Sequence, residues 1–226
     1  MTDSLLIERF LDIKQRIDEL NQTHQTHTML LAVSKTKPAS DIRTLFSAGQ
    51  VHFGENYLQE AVAKINELSD LPIVWHYIGH IQRNKTRDIA THFDWVETLD
   101  RGIIAKRLHE QRPPNLAPLN VLIQINIDDE SSKSGCQVDE LPALIDEISG
   151  YDRLCLRGLM IIPAKDSKDA FRRTKALFDE IGDKYDLPQW DTLSMGMSDS
   201  LADAIGAGST LVRVGTAIFG ARDYNH

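Results

Sequence analysis

The chain has 226 residues, of which 42% are hydrophobic and 26% charged, and its formal net charge is −8 at pH 7. This composition is typical of a folded globular protein, and it excludes collagen-like, disordered and membrane-embedded classes. The acidic balance also excludes a broadly basic surface for nucleic acid or anionic membranes, although it allows a local positive pocket. Cys136 and Cys155 match neither a disulfide framework nor a CxxC site, so we expect two free thiols in the cytoplasm.

The first 22 residues are predicted to form an amphipathic helix that packs on the domain that follows. Their apolar side chains recur at helical spacing, at Leu6, Phe10, Ile13, Ile17 and Leu20. Charged residues interrupt the apolar ones, which is inconsistent with a secretory signal.

Short apolar segments then alternate with longer segments of helical period. The predicted strands are residues 29–34, 51–54, 73–79, 95–99, 121–127, 156–162, 192–195 and 211–215. The predicted helices are residues 40–48, 57–68, 85–92, 101–111, 138–149, 168–185 and 199–205. Apolar strands separated by helices indicate parallel pairing through right-handed crossovers. Strict alternation favours an α/β fold with a single (β/α)8 TIM barrel over residues 1–226, with an open doubly wound sheet as the alternative.

A barrel places functional side chains where each strand ends and its loop begins. Lys35 follows the first predicted strand directly, and apolar walls there favour the neutral amine that forms a Schiff base with an aldehyde or ketone. The alternative is a lysine that extends to solvent or pairs with Glu55.

Two neighbouring loops at the same end of the barrel have the character of a phosphate site. Ser198 is predicted to cap the helix after the seventh strand, which leaves backbone amides facing an anion. Gly215 and Thr216 end the eighth strand, where they offer close backbone approach and a hydroxyl. The alternative is ordinary helix capping and a tight turn.

Arg213 lies inside the apolar eighth strand, so its guanidinium must be paired. A salt bridge to Glu55 or Asp199 and a ligand contact are equally open at this point.

His76 and His80 lack the HExxH pattern, and we predict no metal. The nucleotide-binding P-loop and GxGxxG patterns and the GxSxG nucleophile motif are also absent from the sequence.

Six ordered sequence blocks carry a resemblance to a known family. They are AVSKTKP (32–38), HFGENY (52–57), WHYIGHIQRNK (75–85), SSKSG (131–135), MGMSD (195–199) and VRVGTAIFG (212–220). Together they resemble the pyridoxal phosphate homeostasis proteins of the YggS/PROSC type, which are similar to the N-terminal barrel of bacterial alanine racemases. The resemblance covers nearly the whole chain.

The resemblance implies that pyridoxal 5′-phosphate (PLP) is the cofactor and that Lys35 holds it as a Schiff base. It implies phosphate contacts from Ser198, Gly215 and Thr216, and it places Arg213 opposite the pyridine nitrogen. Asn56 and His80 would line the mouth of the site, and Met195 would pack near the ring.

The implied function is vitamin B6 homeostasis, in which the protein buffers PLP or delivers it to PLP-dependent apoenzymes, with an indirect effect on amino-acid and keto-acid balance. Arginine donates to an unprotonated pyridine nitrogen, which disfavours transamination and decarboxylation. It does not exclude racemisation, since the similar racemases use an arginine there. The chain ends shortly after the last predicted strand, so we expect no second domain to complete a racemase site. We therefore expect a monomeric carrier rather than an enzyme.

The alternatives are a small PLP-dependent racemase and a PLP-free Schiff-base aldolase. The roles of Lys37 and Lys133 stay open.

Overall fold

The fold is a closed barrel of parallel strands in a computed structural model that describes residues 2–130, 134–165, 167 and 169–221. The strands pair in chain order, and the last pairs with the first. They are β1 (Met29–Val33), β2 (His52–Glu55), β3 (Val74–Tyr77), β4 (Trp95–Leu99), β5 (Leu119–Ile125), β6 (Leu154–Ile161), β7 (Thr192–Ser194) and β8 (Leu211–Val214). The predicted (β/α)8 barrel is confirmed, and the open sheet is excluded because β1 and β8 pair with each other.

Helices connect the strands as the alternating pattern predicts. They are α1 (Asp3–His24), α2 (Ala39–Ser47), α3 (Leu58–Glu67), α4 (Thr86–His92), α5 (Gly102–Gln111), α6 (Leu141–Ser149), α7 (Ala170–Lys184), α8 (Leu201–Gly206) and α9 (Thr216–Phe219). Single 3-10 turns precede α4 and α8. The helix predicted over residues 138–149 begins later, since Pro142 occupies its first turn, where proline is favoured. The start predicted at Lys168 lies outside the described residues.

The N-terminal helix α1 packs on the outside of the barrel against α2, α8 and α9. It buries Leu6, Phe10, Ile13 and Ile17, which follow one another at intervals of three or four residues. It thereby covers the side of the barrel where α9 is a single turn. Within the described residues, no helix is both long enough and apolar enough to cross a bilayer.

The two faces of the barrel strands differ in chemistry. The outward-facing residues join the helices in one large apolar core, which includes Leu193, Met195, Val212 and Val214. On β4, β5 and β6 a smaller cluster of Trp95, Leu122 and Met160 alternates with residues of that outer core and therefore faces the interior. The same alternation turns polar side chains inward, namely His76, Glu97, Ser194 and Arg213. The barrel interior thus combines a buried polar network with a small apolar cluster.

Candidate functional site

Three adjacent strands bring the sequence-predicted residues to one end of the barrel. β1 lies between β2 and β8, with Ala32 beside Phe53 on one side and Val214 on the other. The loop that carries Lys35 therefore emerges between the ends of β2 and β8. Asn56 follows β2, and Gly215 and Thr216 follow β8, so these four residues meet because the strands are parallel and in register.

A cavity of about 550 Å³ opens at this end of the barrel. It falls in the size range of small-molecule sites. Six of the eight predicted site residues line it: Lys35, Asn56, Ser198, Arg213, Gly215 and Thr216. Its apolar walls come from Val33, Ile78, Met160, Ile162, Met197 and Ala217, and Asp199 supplies a carboxylate.

The other two predicted residues lie elsewhere. Met195 is fully buried in the outer core, because it follows Ser194 on the opposite face of the strand. Met197, two residues further on, lines the cavity instead and is 47% exposed. His80 lines an adjacent cavity of about 440 Å³ together with Tyr57 and Lys85, and Asn56 forms part of the wall of both cavities.

Ser198 reaches the cavity without capping the helix that follows it. It is the first residue of a 3-10 turn, Ser198–Ser200, and the backbone N–H of Met197 donates to the hydroxyl of Ser200 at 3.0 Å. The predicted cap at Ser198 is therefore wrong. The sequence offers two serines in this loop, and Ser200 forms the local bond while Ser198 lines the cavity.

Arg213 crosses the floor of the cavity and is 5% exposed. Its Nη1 donates to the Ser194 hydroxyl at 2.7 Å, and its Nη2 donates to the Ile161 carbonyl at 2.8 Å. Neither of the two partners expected from the sequence is used, because Glu55 bonds Lys64 and Ser34 instead, and Asp199 lines the cavity wall. The two guanidinium bonds go to β7 and β6, the two strands that precede β8 in the barrel, so they fix the plane of the side chain.

Behind Arg213, a chain of hydrogen bonds runs through the barrel interior. The Ser194 hydroxyl donates to Oε2 of Glu97 at 2.6 Å, and Nδ1 of His76 lies 2.8 Å from Oε1 of the same carboxylate. Nε2 of His76 lies 3.0 Å from Nδ1 of His52, near the opposite end of the barrel. A carboxylate can only accept hydrogen bonds, so the His76 proton sits on Nδ1.

The charges in this chain of bonds balance one another. Burial alone would raise the pKa of Glu97, but the hydrogen bonds from His76 and Ser194 and the positive charge of Arg213 hold it below its usual value. Burial lowers the pKa of Arg213, and Glu97 opposes that effect. Burial and the nearby His76 lower the pKa of His52 to about 4, so His52 is neutral near pH 7. Glu97 is thus the buried anion that compensates the cavity's guanidinium.

A second cluster lies beneath Lys35. Lys64 of α3 donates to Oε1 of Glu55 at 2.8 Å and to the Ser34 carbonyl at 2.9 Å. The predicted alternative in which Lys35 pairs with Glu55 is therefore replaced by a Lys64–Glu55 pair. Lys37 points away, since its Nζ donates to the Ala221 carbonyl at 3.1 Å. Lys133 lies outside the described residues.

The cavity suits an anionic ligand that carries a reactive carbonyl. Lys35 and Arg213 supply two basic side chains, against the single carboxylate of Asp199 among the described residues that line the cavity. Ser198 and Thr216 add hydroxyl donors. The amide oxygen of Asn56 is buried with no hydrogen-bond partner among the described atoms, so a polar ligand group would satisfy it. This donor set fits PLP, whose phosphate, ring nitrogen and aldehyde need an anion site, a hydrogen-bond donor and an amine.

Sequence reasoning misses Glu97 and Lys64. Glu97 lies in a strand that is buried along its whole length, and the available signal is that a carboxylate there requires a buried partner. Lys64 occupies an inward position of an amphipathic helix, which is a signal of the same kind. In both cases the partner lies on another element and cannot be named from spacing alone.

Comparisons of the sequence with known proteins find one matching family model and close relatives that share a name. The family model for the alanine racemase N-terminal domain matches residues 11–223. A pyridoxal phosphate homeostasis protein of Haemophilus influenzae is 53% identical over 224 residues, with 94% of both chains covered. The protein of that name from Escherichia coli K12 is 54% identical over 204 residues, covering 87% of this chain and 86% of the relative.

Solved structures are similar to this chain as well. PipY of Synechococcus elongatus, with PLP bound, superimposes with a TM-score of 0.83 at 33% identity and covers 95% of this chain and 100% of PipY. Alanine racemase of E. faecalis gives a TM-score of 0.73 at 13% identity, and the match covers 98% of this chain and 59% of the racemase. The racemase comparison shows a shared fold alone.

Proposed function

This chain belongs to the family of pyridoxal phosphate homeostasis proteins, and we propose that it binds PLP and buffers or delivers this cofactor. The observation that carries the proposal is the convergence of Lys35, Arg213, Ser198 and Thr216 on one cavity. The PLP-bound PipY structure, from a protein 33% identical to this chain, supports the same ligand.

We assign the residues as follows. Lys35 attaches the PLP aldehyde through its amine, since a lysine at a partly apolar strand end is suited to Schiff-base formation. Ser198, Gly215 and Thr216 bind the phosphate, and Arg213 donates to the pyridine nitrogen. Asn56 offers its unpartnered amide oxygen to a ligand hydroxyl, and Met197 takes the apolar position that the sequence pattern assigns to Met195.

Arg213 disfavours the transamination and decarboxylation chemistry of PLP enzymes. PLP supplies an electron sink, and this chemistry is strongest when an acidic residue keeps the ring nitrogen protonated. Arg213 has no acceptor atom, and its bonds to Ser194 and Ile161 use two of its five N–H donors, which fixes the side chain and leaves other N–H groups for a ligand. The buried negative charge of Glu97 keeps that guanidinium compensated. A bound ring would therefore be held by a permanent donor, which favours retention of the cofactor over carbanion chemistry.

The rim of the cavity supports release to another protein. Ile162 and Met197 line the cavity and are 40% and 47% exposed. A ligand bound beside them lies close to the surface, where a recipient can reach it.

We propose that PLP-dependent apoenzymes are the recipients and that the carrier acts as a monomer. We also propose that it works in the cytoplasm, which suits its two free thiols.

Delivery is tested by reactivation of an apoenzyme in the presence of a phosphatase that destroys free PLP. We expect the loaded wild-type protein to reactivate the apoenzyme despite the phosphatase, and an equal amount of free PLP to fail. Reactivation that disappears with the phosphatase would show simple dissociation and refute delivery by contact. Sedimentation of the loaded protein tests the monomer.

The racemase alternative predicts a different signature. Solvent deuterium would enter the α-carbon of an amino acid in the presence of the loaded protein, and Lys35→Ala would abolish this exchange. Lys37→Ala is the matched control, because Lys37 bonds the Ala221 carbonyl and does not line the cavity. We expect no exchange above the rate of free PLP, and exchange that depends on Lys35 would overturn the carrier proposal.

A further inference from the structure

The residue after Lys35 has an unusual backbone. Thr36 has φ of 63°, in the left-handed region, which is sterically unfavourable for a β-branched residue. The other non-glycine residues with positive φ in the described chain are Gln25, at the end of α1, and Asp129. Strain of this kind persists only where surrounding contacts impose it. The contacts that impose it at Thr36 therefore also fix the backbone of Lys35.

Glu60 supplies the contact on one side of Lys35. The Thr36 N–H donates to Oε1 of Glu60 at 2.6 Å. Glu60 lies in the first turn of α3, one turn before Lys64, whose ammonium donates to the same carboxylate oxygen. The acceptor for Thr36 is thus itself held by a neighbouring cation.

Lys64 supplies the contact on the other side of Lys35. Its Nζ donates to the carbonyl of Ser34 at 2.9 Å. Lys64 is 6% exposed, and it is anchored by the fully buried carboxylate of Glu55 at 2.8 Å. The Ser34 hydroxyl donates to the same carboxylate at 2.6 Å. The residues before and after Lys35 are therefore tied to two side chains one helical turn apart.

We propose that Glu60 and Lys64 are positioning residues for Lys35: they hold residues 34–36 in the conformation that directs the Lys35 amine into the cavity. This inference rests on the proposed role of Lys35 as the PLP attachment site. Neither positioning residue lines that cavity, so each acts through the backbone. The left-handed geometry of Thr36 turns the chain sharply after Lys35, and without the acceptor on Glu60 the turn would relax toward an extended conformation.

The test uses Glu60 because Lys64→Ala would leave Glu55 buried without its cation and could unfold the protein. Glu60→Ala removes the acceptor, whereas Glu60→Gln retains an oxygen for the Thr36 amide. Thr36→Gly makes the left-handed conformation accessible without a contact. Glu110→Ala is the control, since Glu110 is an exposed carboxylate whose lysine neighbour, Lys106, is likewise four residues away on a helix.

Two measurements are made on each variant. Amide hydrogen exchange at Thr36 in the PLP-free protein reports the contact itself, and we expect Glu60→Ala to accelerate it about tenfold or more. The equilibrium PLP affinity reports positioning, and we expect Glu60→Ala to weaken it about fivefold, which corresponds to the cost of one left-handed residue. Glu60→Gln should retain most of the affinity. In the Thr36→Gly background, Glu60→Ala should change affinity less than about twofold, since glycine needs no clamp.

Equal affinity losses for Glu60→Ala in the wild-type and Thr36→Gly backgrounds would overturn the proposal, because they would show an effect unrelated to the Thr36 conformation. Accelerated exchange at Thr36 with unchanged PLP affinity would overturn it as well. Failure of the proposed function looks different. In that case wild-type protein binds no PLP, while the exchange measurement still reports whether Glu60 holds Thr36.

Discussion

The buried carboxylate of Glu97 gives the sharpest test of the polar barrel interior. Glu97 is 0% exposed and accepts from His76 and Ser194, and Ser194 in turn accepts from Arg213. The substitution Glu97→Gln preserves the shape of the side chain. It removes the negative charge that compensates the Arg213 guanidinium. It also places an NH2 group opposite either His76 or Ser194, each of which donates to a carboxylate oxygen of Glu97 in the wild type.

The magnitude follows from these contacts. Hydrogen bonds to charged groups contribute about 1.5–3 kcal/mol each, and the amide keeps one of the two acceptor oxygens. Loss of one such bond, together with an uncompensated buried Arg213, gives an expected decrease of about 2–4 kcal/mol in the free energy of unfolding. For a chain of this size, a decrease of about 1 kcal/mol lowers the melting temperature by about 2–4 °C.

Urea denaturation near pH 7 measures this change directly. Glu110→Gln is the matched control, because Glu110 is 54% exposed and lies 3.9 Å from Lys106, so its loss should cost less than about 0.5 kcal/mol. The pKa of Glu97 is depressed in the folded state, so its contribution is present above the carboxylate's unfolded pKa and is lost as pH falls. The difference between wild type and Glu97→Gln should therefore shrink in acid. A free energy within about 0.5 kcal/mol of wild type near pH 7 would refute the role of this charge.

Two further predictions address pH and packing. The folded pKa of His52 is about 4 against an ordinary 6.5, so the unfolded chain binds the proton more readily and stability falls as pH decreases through that window. His52→Gln should remove this part of the pH dependence in urea titrations, and an unchanged slope would contradict it. Gly158 has φ of 148°, and an added Cβ would lie 1.8 Å from the Thr192 carbonyl oxygen, so Gly158→Ala should destabilise by at least about 3 kcal/mol. Gly150→Ala is the control, because Gly150 has φ of −81° and its nearest Cβ contact would be 3.5 Å; thermal melts showing equal losses would refute the clash.

The barrel could be predicted because its signals are local. Each strand is a short apolar segment, each helix has a 3.6-residue period, and their strict alternation leaves few topologies. The ends of elements are less certain: α6 starts at Leu141 because Pro142 fits its first turn, a preference that the apolar period does not register.

The sequence could predict those residues of the candidate site that come directly after a predicted strand. Lys35, Asn56, Gly215 and Thr216 follow adjacent strands, so parallel pairing alone brings them together. Met195 shows the limit of this reasoning, because one residue beyond Ser194 reverses the face of the strand and places its side chain in the outer core.

The partners in the hydrogen-bond network of the barrel interior could be identified only from the three-dimensional structure. Arg213 needed a partner, and the sequence offered Glu55 at the end of β2 and Asp199 in the loop after β7. The fold instead places Glu97, from the opposite side of the barrel, within reach of Ser194. Long-range pairs of this kind depend on barrel closure and register, which one sequence does not encode as a local pattern.

Attachment of PLP at Lys35 is tested most directly by the near-visible absorption spectrum of the protein incubated with PLP, recorded before and after borohydride reduction. Peptide mapping then identifies the modified residue. We expect a yellow protein whose chromophore is lost on reduction and whose label maps to Lys35, and a Lys35→Ala variant that folds and carries no label. A colourless protein that takes up no PLP, or a label at another lysine with Lys35→Ala still fully labelled, would contradict the assignment of this cavity.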